Sequence, residues 1–110
     1  MKLYLHDGKG SHIDARQVAS YLKETPDELV DRLEDADCML VLSGMYLTYG
    51  YAEAMEAELD EAVKKALPVL TVAPHGTPYI PMKLRKYTSC HCGLTKEAVL
   101  KMLEENRNRT

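Results

Sequence analysis

The sequence lacks the features that mark several large classes of protein. No apolar run is long enough to cross a membrane, and Met1–Lys2 leads into a short strand rather than a signal peptide. The longest basic cluster is the short run KLRK at 83–86, and the net charge is −3. Three cysteines, an odd number, fit a reducing compartment better than a disulfide framework. We therefore expect a cytoplasmic protein whose partners include neither membranes nor nucleic acid.

The bulk composition is that of one soluble domain. The chain has 110 residues, of which 45% are apolar and 28% are charged, enough to form a hydrophobic core without disulfide or metal staples. The polar end of the sequence has nothing to bury, so we expect a single domain over 1–105 and a frayed tail at 106–110.

Apolar segments of strand length alternate with segments of helical periodicity, which predicts an α/β fold. We expect a small, doubly wound, mainly parallel sheet of four to five strands, with helices on both faces. One helix is predicted to begin at Thr25, because Thr25, Pro26 and Glu28 resemble a capping box. The interval between Leu5 and Cys38 is short, so the presence of a second strand within it stays open. The predicted strands are 3–5, 38–42, 69–72 and 87–92, and the other predicted helices cover 14–23, 52–66 and the residues after Thr95.

The carboxyl ends of these strands predict a ligand site. In open α/β sheets, ligands bind beyond the carboxyl ends of the strands, where the strand order reverses. The tyrosines that follow the predicted strand 38–42 have three interpretations: they stack a nucleobase, form a partner surface or fold down over the sheet. The residues that we expect to line the site are His6, Asp7, Ser43, Gly44, Tyr46, Tyr49 and His75, with His91 at the last strand.

Acidic residues crowd the helix that follows this edge, in the stretch AEAMEAELDEAVKK (52–65). The apolar stripe of this helix is predicted to contain Met55, Leu59, Ala62, Val63 and Ala66. Acids near a helix N-terminus can simply complement the helix dipole, whereas a partly desolvated carboxylate is suited to acid, base or charge-stabilising chemistry. Two acids, Glu56 and Glu58, are predicted to flank the stripe. Three others are predicted to point to solvent, namely Glu53, Asp60 and Glu61.

Three segments together resemble a known family. DADCMLVLSG (35–44), AMEAELDEAVKKALPVLTVAPHG (54–76) and IPMKL (80–84) are similar to the TIR-like domains of Thoeris antiphage systems and to small archaeal TIR-like proteins of flavodoxin-like fold. The family helix carries Trp-x-x-x-Glu-[Ile/Leu]-x-x-Ala. Glu58, Leu59 and Ala62 match that pattern, and Ala54 stands in place of the tryptophan.

The resemblance implies a nucleotide ligand and a catalytic residue. Active TIR domains cleave or cyclise NAD at its N-glycosidic bond, in signalling or defence, and the family glutamate corresponds to Glu58. NAD would then be a substrate rather than a resident cofactor, and a homo-oligomer or a TIR-type protein would be the partner. Two alternatives remain open: a catalytically silent TIR-like interaction module, and an enzyme similar to nucleoside deoxyribosyltransferases, which also assigns catalysis to Glu58.

The segment Cys90–His91–Cys92 raises the question of a zinc site. Structural zinc sites usually take ligand pairs that are two to four residues apart. In a strand the two cysteines share one face while His91 points to the other, and Cys38 opens its own strand at the opposite sheet edge from His75. We therefore expect buried, reduced cysteines and no metal.

Overall fold

A computed structural model describes residues 1–5, 13–47, 50–73 and 80–109. Its five strands form one sheet in the order β2-β1-β3-β4-β5, and every neighbouring pair is parallel. The predicted α/β fold is therefore confirmed. The strands are β1 (Lys2–Leu5), β2 (Glu28–Val30), β3 (Cys38–Leu42), β4 (Val69–Ala73) and β5 (Cys90–Gly93), and the helices are α1 (Ile13–Leu22), α2 (Ser43–Tyr46), α3 (Ala52–Lys64), α4 (Met82–Arg85) and α5 (Lys96–Arg109).

Helices cover both faces of the sheet. All residues of β3 and β4 are buried, as expected for central strands that are covered on both sides. The connection from β1 to β2 and the connection from β3 to β4 run in opposite directions across the sheet. Because such crossovers are right-handed, α1 and α3 lie on opposite faces, and α5 packs against α1.

The strand register assigns each core side chain to one of these faces. Leu5 lies opposite Leu40, which lies opposite Leu70, and these side chains point to the α1 and α5 face. Tyr4 lies opposite Met39, one residue out of phase, and so points to the α3 face. The register therefore places a tyrosine of β1 beneath the acidic helix.

The prediction that a helix begins at Thr25 is wrong. The Thr25 hydroxyl donates to the Leu22 carbonyl at 2.8 Å and accepts from the Asp27 N–H at 3.2 Å, so Thr25 closes α1 instead of opening a new helix. The following residues pair with the edge of β1, with Leu29 opposite Leu3. They form the second strand, and a short 3-10 helix follows at Leu33–Asp35. Backbone pairing with a neighbouring strand has outweighed the local capping signal.

Helix α3 matches its predicted position, but its buried stripe is narrower. Met55, Leu59 and Ala62 are buried, whereas Val63 is 57% exposed. Ala66 lies beyond the last helical residue with φ 56°, a left-handed conformation that ends the helix. As predicted, Glu56 and Glu58 are half-buried. The other three acids of the helix are exposed, namely Glu53, Asp60 and Glu61.

The C-terminal third is more regular than the sequence predicts. The short helix α4 lies in a stretch for which the sequence predicts no element, and β5 begins later than the predicted strand at 87–92. The Thr95 hydroxyl oxygen accepts from the Ala98 N–H at 3.2 Å and caps α5 as expected. The helix continues to Arg109, through most of the expected tail, and Asn106 is buried. Among the described residues, no helix is long and apolar enough to cross a membrane.

Candidate functional site

The strand order reverses between β1 and β3. The chain passes from β1 to β2 on one side and then returns to β3 on the other side of β1. A crevice opens at the carboxyl ends of the two strands in sheets of this order, and it is the usual ligand position. This β1/β3 crevice is the candidate functional site.

Two of the predicted ligand-binding residues lie at this edge. Ser43 follows Leu42 directly and begins α2, so no loop separates the strand from the helix. The Ser43 side chain is fully buried, and its hydroxyl donates to the Val72 carbonyl at 3.4 Å. Gly44 is half-buried beside it. Four other predicted residues, His6, Asp7, Tyr49 and His75, lie outside the described residues.

Tyr46 is part of the core. It is 7% exposed, and its hydroxyl donates to Glu56 Oε1 at 2.5 Å. Burial, followed by the Glu56 hydrogen bond and charge, raises the pKa of Tyr46 to about 12, so the phenol remains a neutral donor at physiological pH. Of the three interpretations of the tyrosine segment, this residue fits the one that folds it over the sheet.

Glu58, the predicted catalytic carboxylate, accepts a hydrogen bond from the hydroxyl of Tyr4. Burial, and then the Glu58 hydrogen bond and charge, raise the pKa of Tyr4 above its ordinary value. The Tyr4 phenol is therefore a donor that fixes the position of the half-buried Glu58 side chain. The sequence pattern does not single out Tyr4, whose one signal is a polar tip in the apolar strand 3–5.

Glu58 lies at a different level of the sheet from Ser43. Tyr4 is level with Met39, which is three residues before Leu42 at the end of β3. At the usual rise of a strand, the Tyr4 backbone lies roughly 10 Å before that end. The structure thus brings Ser43 and Gly44 to the edge of the crevice, whereas Glu58 contacts Tyr4, which is the last residue but one of β1 and lies three residues before the end of β3 by register.

A third acid of α3 has a tyrosine partner as well. The Tyr87 hydroxyl donates to Asp60 Oδ1 at 2.7 Å, and this hydrogen bond, followed by desolvation, raises the pKa of Tyr87. Glu56, Glu58 and Asp60 therefore each bind a tyrosine from outside α3. These contacts give each of the three acids a packing role.

The three cysteines are free thiols, of which Cys38 is buried and the other two are half-buried. Burial is the main cause that raises the pKa of Cys38 to about 12 and that of Cys92 to about 11. His91 is exposed and Cys90 and Cys92 are half-buried, in the alternation that the sequence predicts. Within the described ranges, no group of three or more histidine, cysteine or acidic side chains is arranged to hold a metal ion.

Comparison with known proteins identifies no family. No protein-family model matches the sequence, and no curated protein matches it significantly. The likeness to TIR-like domains therefore rests on sequence motifs alone, chiefly on Glu58, Leu59 and Ala62.

Proposed function

We propose that the protein binds a nucleotide, with NAD as the first candidate, in the β1/β3 crevice. The strand order β2-β1-β3-β4-β5 is the observation that carries this proposal. This is the order of flavodoxin-like folds, in which the ligand lies at the switch point between β1 and β3. The choice of NAD comes from the resemblance to TIR-like domains.

The residues at the end of β3 suit a ligand that approaches the backbone. Gly44 has no side chain, so a phosphate or ribose group can reach the main chain there. Ser43 is held by Val72 and fixes the start of α2 against β4. A rigid backbone at the edge of the crevice lowers the entropic cost of ordering the site when a ligand binds.

Cleavage of NAD is a second candidate function, and the orientation of Glu58 favours it. When the bond between ribose C1′ and the nicotinamide nitrogen breaks, nicotinamide leaves with the bonding electrons and positive charge develops on the ribose. A fixed carboxylate can stabilise this charge or bond to C1′ before water releases the product. Tyr4 supplies the fixing contact.

The same contact favours binding without cleavage. The Tyr4 hydrogen bond gives Glu58 a structural role that needs no substrate, and Tyr4 is level with Met39, three residues before the end of β3. We therefore rank nucleotide binding first and cleavage second. A TIR-type or self-associating partner, a cytoplasmic location and a role in defence or signalling belong to the same proposal and rest on the resemblance alone.

Binding can be tested by calorimetric titration with NAD and ADP-ribose. Gly44→Gln places a side chain in the crevice and should weaken binding about ten-fold or more. Gly93→Gln is the matched control, because Gly93 lies at the same sheet edge two strands away and a Cβ there meets nothing within 4 Å. Equal affinity in the two variants, or no binding by the native chain at millimolar nucleotide, would contradict the proposal.

Cleavage can be tested by measuring nicotinamide release over a range of protein concentrations. Glu58→Gln should abolish release, and Glu53→Gln should leave it unchanged because Glu53 is exposed in the first turn of the same helix. Tyr4→Phe should lower the rate without abolishing it. Undetectable release by the native chain at every concentration, together with retained NAD binding, would contradict cleavage and show that the protein only binds NAD.

A further inference from the structure

Acidic residues are distributed unevenly along the chain. None of the 17 acidic residues falls between residues 62 and 96, although this segment holds six of the 14 lysines and arginines. The segment includes β4, α4 and β5. In a protein of net charge −3 this segment is thus a locally basic region of the chain, and a basic region attracts anions where no acid from another segment pairs with it.

A groove of about 330 Å³ lies within this region, between α4 and β5. We call it the α4 groove. His91 lies opposite Thr71, which places the histidine on the α3 face at the outer edge of the sheet. The described residues that line the groove are Ile80, Arg85, Thr88 and His91.

The Arg85 guanidinium is positioned to receive an anion. Its Nε–H donates to the Ile80 carbonyl at 3.1 Å, which restrains the plane of the group and leaves its two terminal nitrogens for other partners. Within the described part of the chain, no carboxylate pairs with Arg85. A restrained guanidinium with no acidic partner can bind two oxygens of one phosphate side by side.

Thr88 offers the groove an acceptor and no donor. Its hydroxyl donates to the Leu84 carbonyl at 2.7 Å, so its single proton is already used. The Thr71 hydroxyl lies 2.8 Å from the Thr88 oxygen and must be the donor in that pair. A ligand group that contacts Thr88 must therefore donate a hydrogen bond, as an alcohol does.

A smaller groove on the other side of α4 has a different charge balance. It has a volume of about 150 Å³ and is lined by Glu56, Lys83, Lys86 and Tyr87. Glu56 offsets one of the two lysines there, and the other positive charge has an aromatic neighbour, because Lys86 Nζ lies 5.0 Å from the centroid of the Tyr87 ring. The α4 groove has no acid among its described lining residues, so it is the better site for an anion.

We propose that the α4 groove binds a small organic phosphate monoester that also carries a hydroxyl group, such as a sugar or polyol phosphate. The phosphate binds Arg85 through two oxygens, with His91 as a further donor. The hydroxyl donates to the Thr88 oxygen, and the carbon chain lies against the buried Ile80. This site is separate from the β1/β3 crevice, since β4 lies between β3 and β5, and it does not depend on the proposed nucleotide function.

The test is a titration of the native protein with glycerol 3-phosphate, methyl phosphate and glycerol, followed by nuclear magnetic resonance of the His91 amide and side chain. Glycerol 3-phosphate should shift the His91 signals at the lowest concentration. Methyl phosphate should bind about two- to ten-fold more weakly, because it lacks the alcohol, and glycerol should not bind. Equal affinity for the two phosphates would overturn the assignment of Thr88.

Two variants separate this groove from general attraction of anions. Arg85→Gln should weaken glycerol 3-phosphate binding about ten-fold or more, and the variant should keep the native fold because the Arg85 side chain is exposed. Lys101→Gln is the matched control, since it removes one exposed positive charge from α5 on the opposite face. Equal weakening in both variants, or none in Arg85→Gln, would overturn the proposal, while Gly44→Gln should leave glycerol 3-phosphate binding unchanged.

Discussion

Helices α5 and α3 cover opposite faces of the sheet and are held by different polar contacts. At α5, Arg107 pairs with Asp27, whose side chain is entirely buried, and the amino group of Met1 lies 3.5 Å from the same carboxylate. At α3, the polar contacts are hydrogen bonds from tyrosines to acids that are exposed or half-buried.

The difference concerns what each helix loses when a contact is removed. A carboxylate that is cut off from water must keep its charged partner. A carboxylate that still contacts water can exchange a tyrosine for solvent at little cost. We therefore expect α5 to be fixed to the sheet and α3 to be the more adjustable side, which is also the side that flanks both candidate ligand sites.

The largest losses should come from the apolar contacts that each helix makes with its own face of the sheet. Leu59 in α3 and Leu103 in α5 are both fully buried, so Leu59→Ala and Leu103→Ala should each lower the free energy of unfolding by about 2–5 kcal/mol. Urea denaturation would measure both. Similar losses would show that the polar contacts alone distinguish the helices, whereas a negligible loss for one leucine would contradict its place in the core.

Loss of the Asp27 partner should rank second. Arg107→Met leaves the buried Asp27 carboxylate with only the Met1 amino group, and it should cost about 2 kcal/mol. Adding Asp27→Asn to this variant should recover part of the loss, because the uncompensated charge is then removed. Lys101→Met, an exposed change in the same helix, is the control. If Asp27→Asn deepened the loss in the Arg107→Met background, the ion-pair account would be wrong.

The hydrogen bond between Tyr46 and Glu56 should contribute about 1 kcal/mol to the free energy of unfolding at neutral pH. This contribution should decrease at alkaline pH. The pKa of folded Tyr46 is about 12, above the ordinary value of 10.0, so the unfolded chain loses this proton first. The contribution is therefore complete below pH 10 and is lost as the pH rises towards 12. Chemical denaturation across this range should show a smaller alkaline decline for Tyr46→Phe, and an unchanged decline would count against the buried phenol.

The smallest effect should come from Tyr87. Its hydroxyl binds Asp60, an exposed acid, and water can replace the phenol there. Tyr87→Phe should change the free energy of unfolding by no more than about 0.5 kcal/mol. A loss as large as that of Tyr46→Phe would erase the distinction between buried and exposed contacts on the α3 face.

The sequence predicts the fold better than it predicts the contacts. The apolar run at 38–42 and the stripe of Met55 and Leu59 are local signals, and both elements lie where they were expected. The prediction of a helix at Thr25 was wrong because it used only a local signal, whereas the pairing of β2 with β1 is a tertiary contact. Periodicity can therefore place elements, but it cannot decide between competing local structures when a neighbouring strand is available.

The candidate site was predictable only in part, for the same reason. The edge residues Ser43 and Gly44 follow from the general rule for parallel sheets. The bond between Tyr4 and Glu58 joins residues that are 54 positions apart, and that between Arg107 and Asp27 joins residues 80 apart. No local pattern contains such pairs, so neither the role of Tyr4 nor the buried end of α5 was visible in the sequence.

The most direct test of the proposed function is an amide nuclear magnetic resonance titration of the native protein with NAD. The account predicts that the Ser43 and Gly44 signals shift, because they lie at the β1/β3 crevice, and that Ala66 and Leu67, just before β4 at the opposite edge of the sheet, do not. Saturable shifts centred on Ala66 and Leu67, or no shift at Ser43 and Gly44 at millimolar NAD, would contradict nucleotide binding at this crevice.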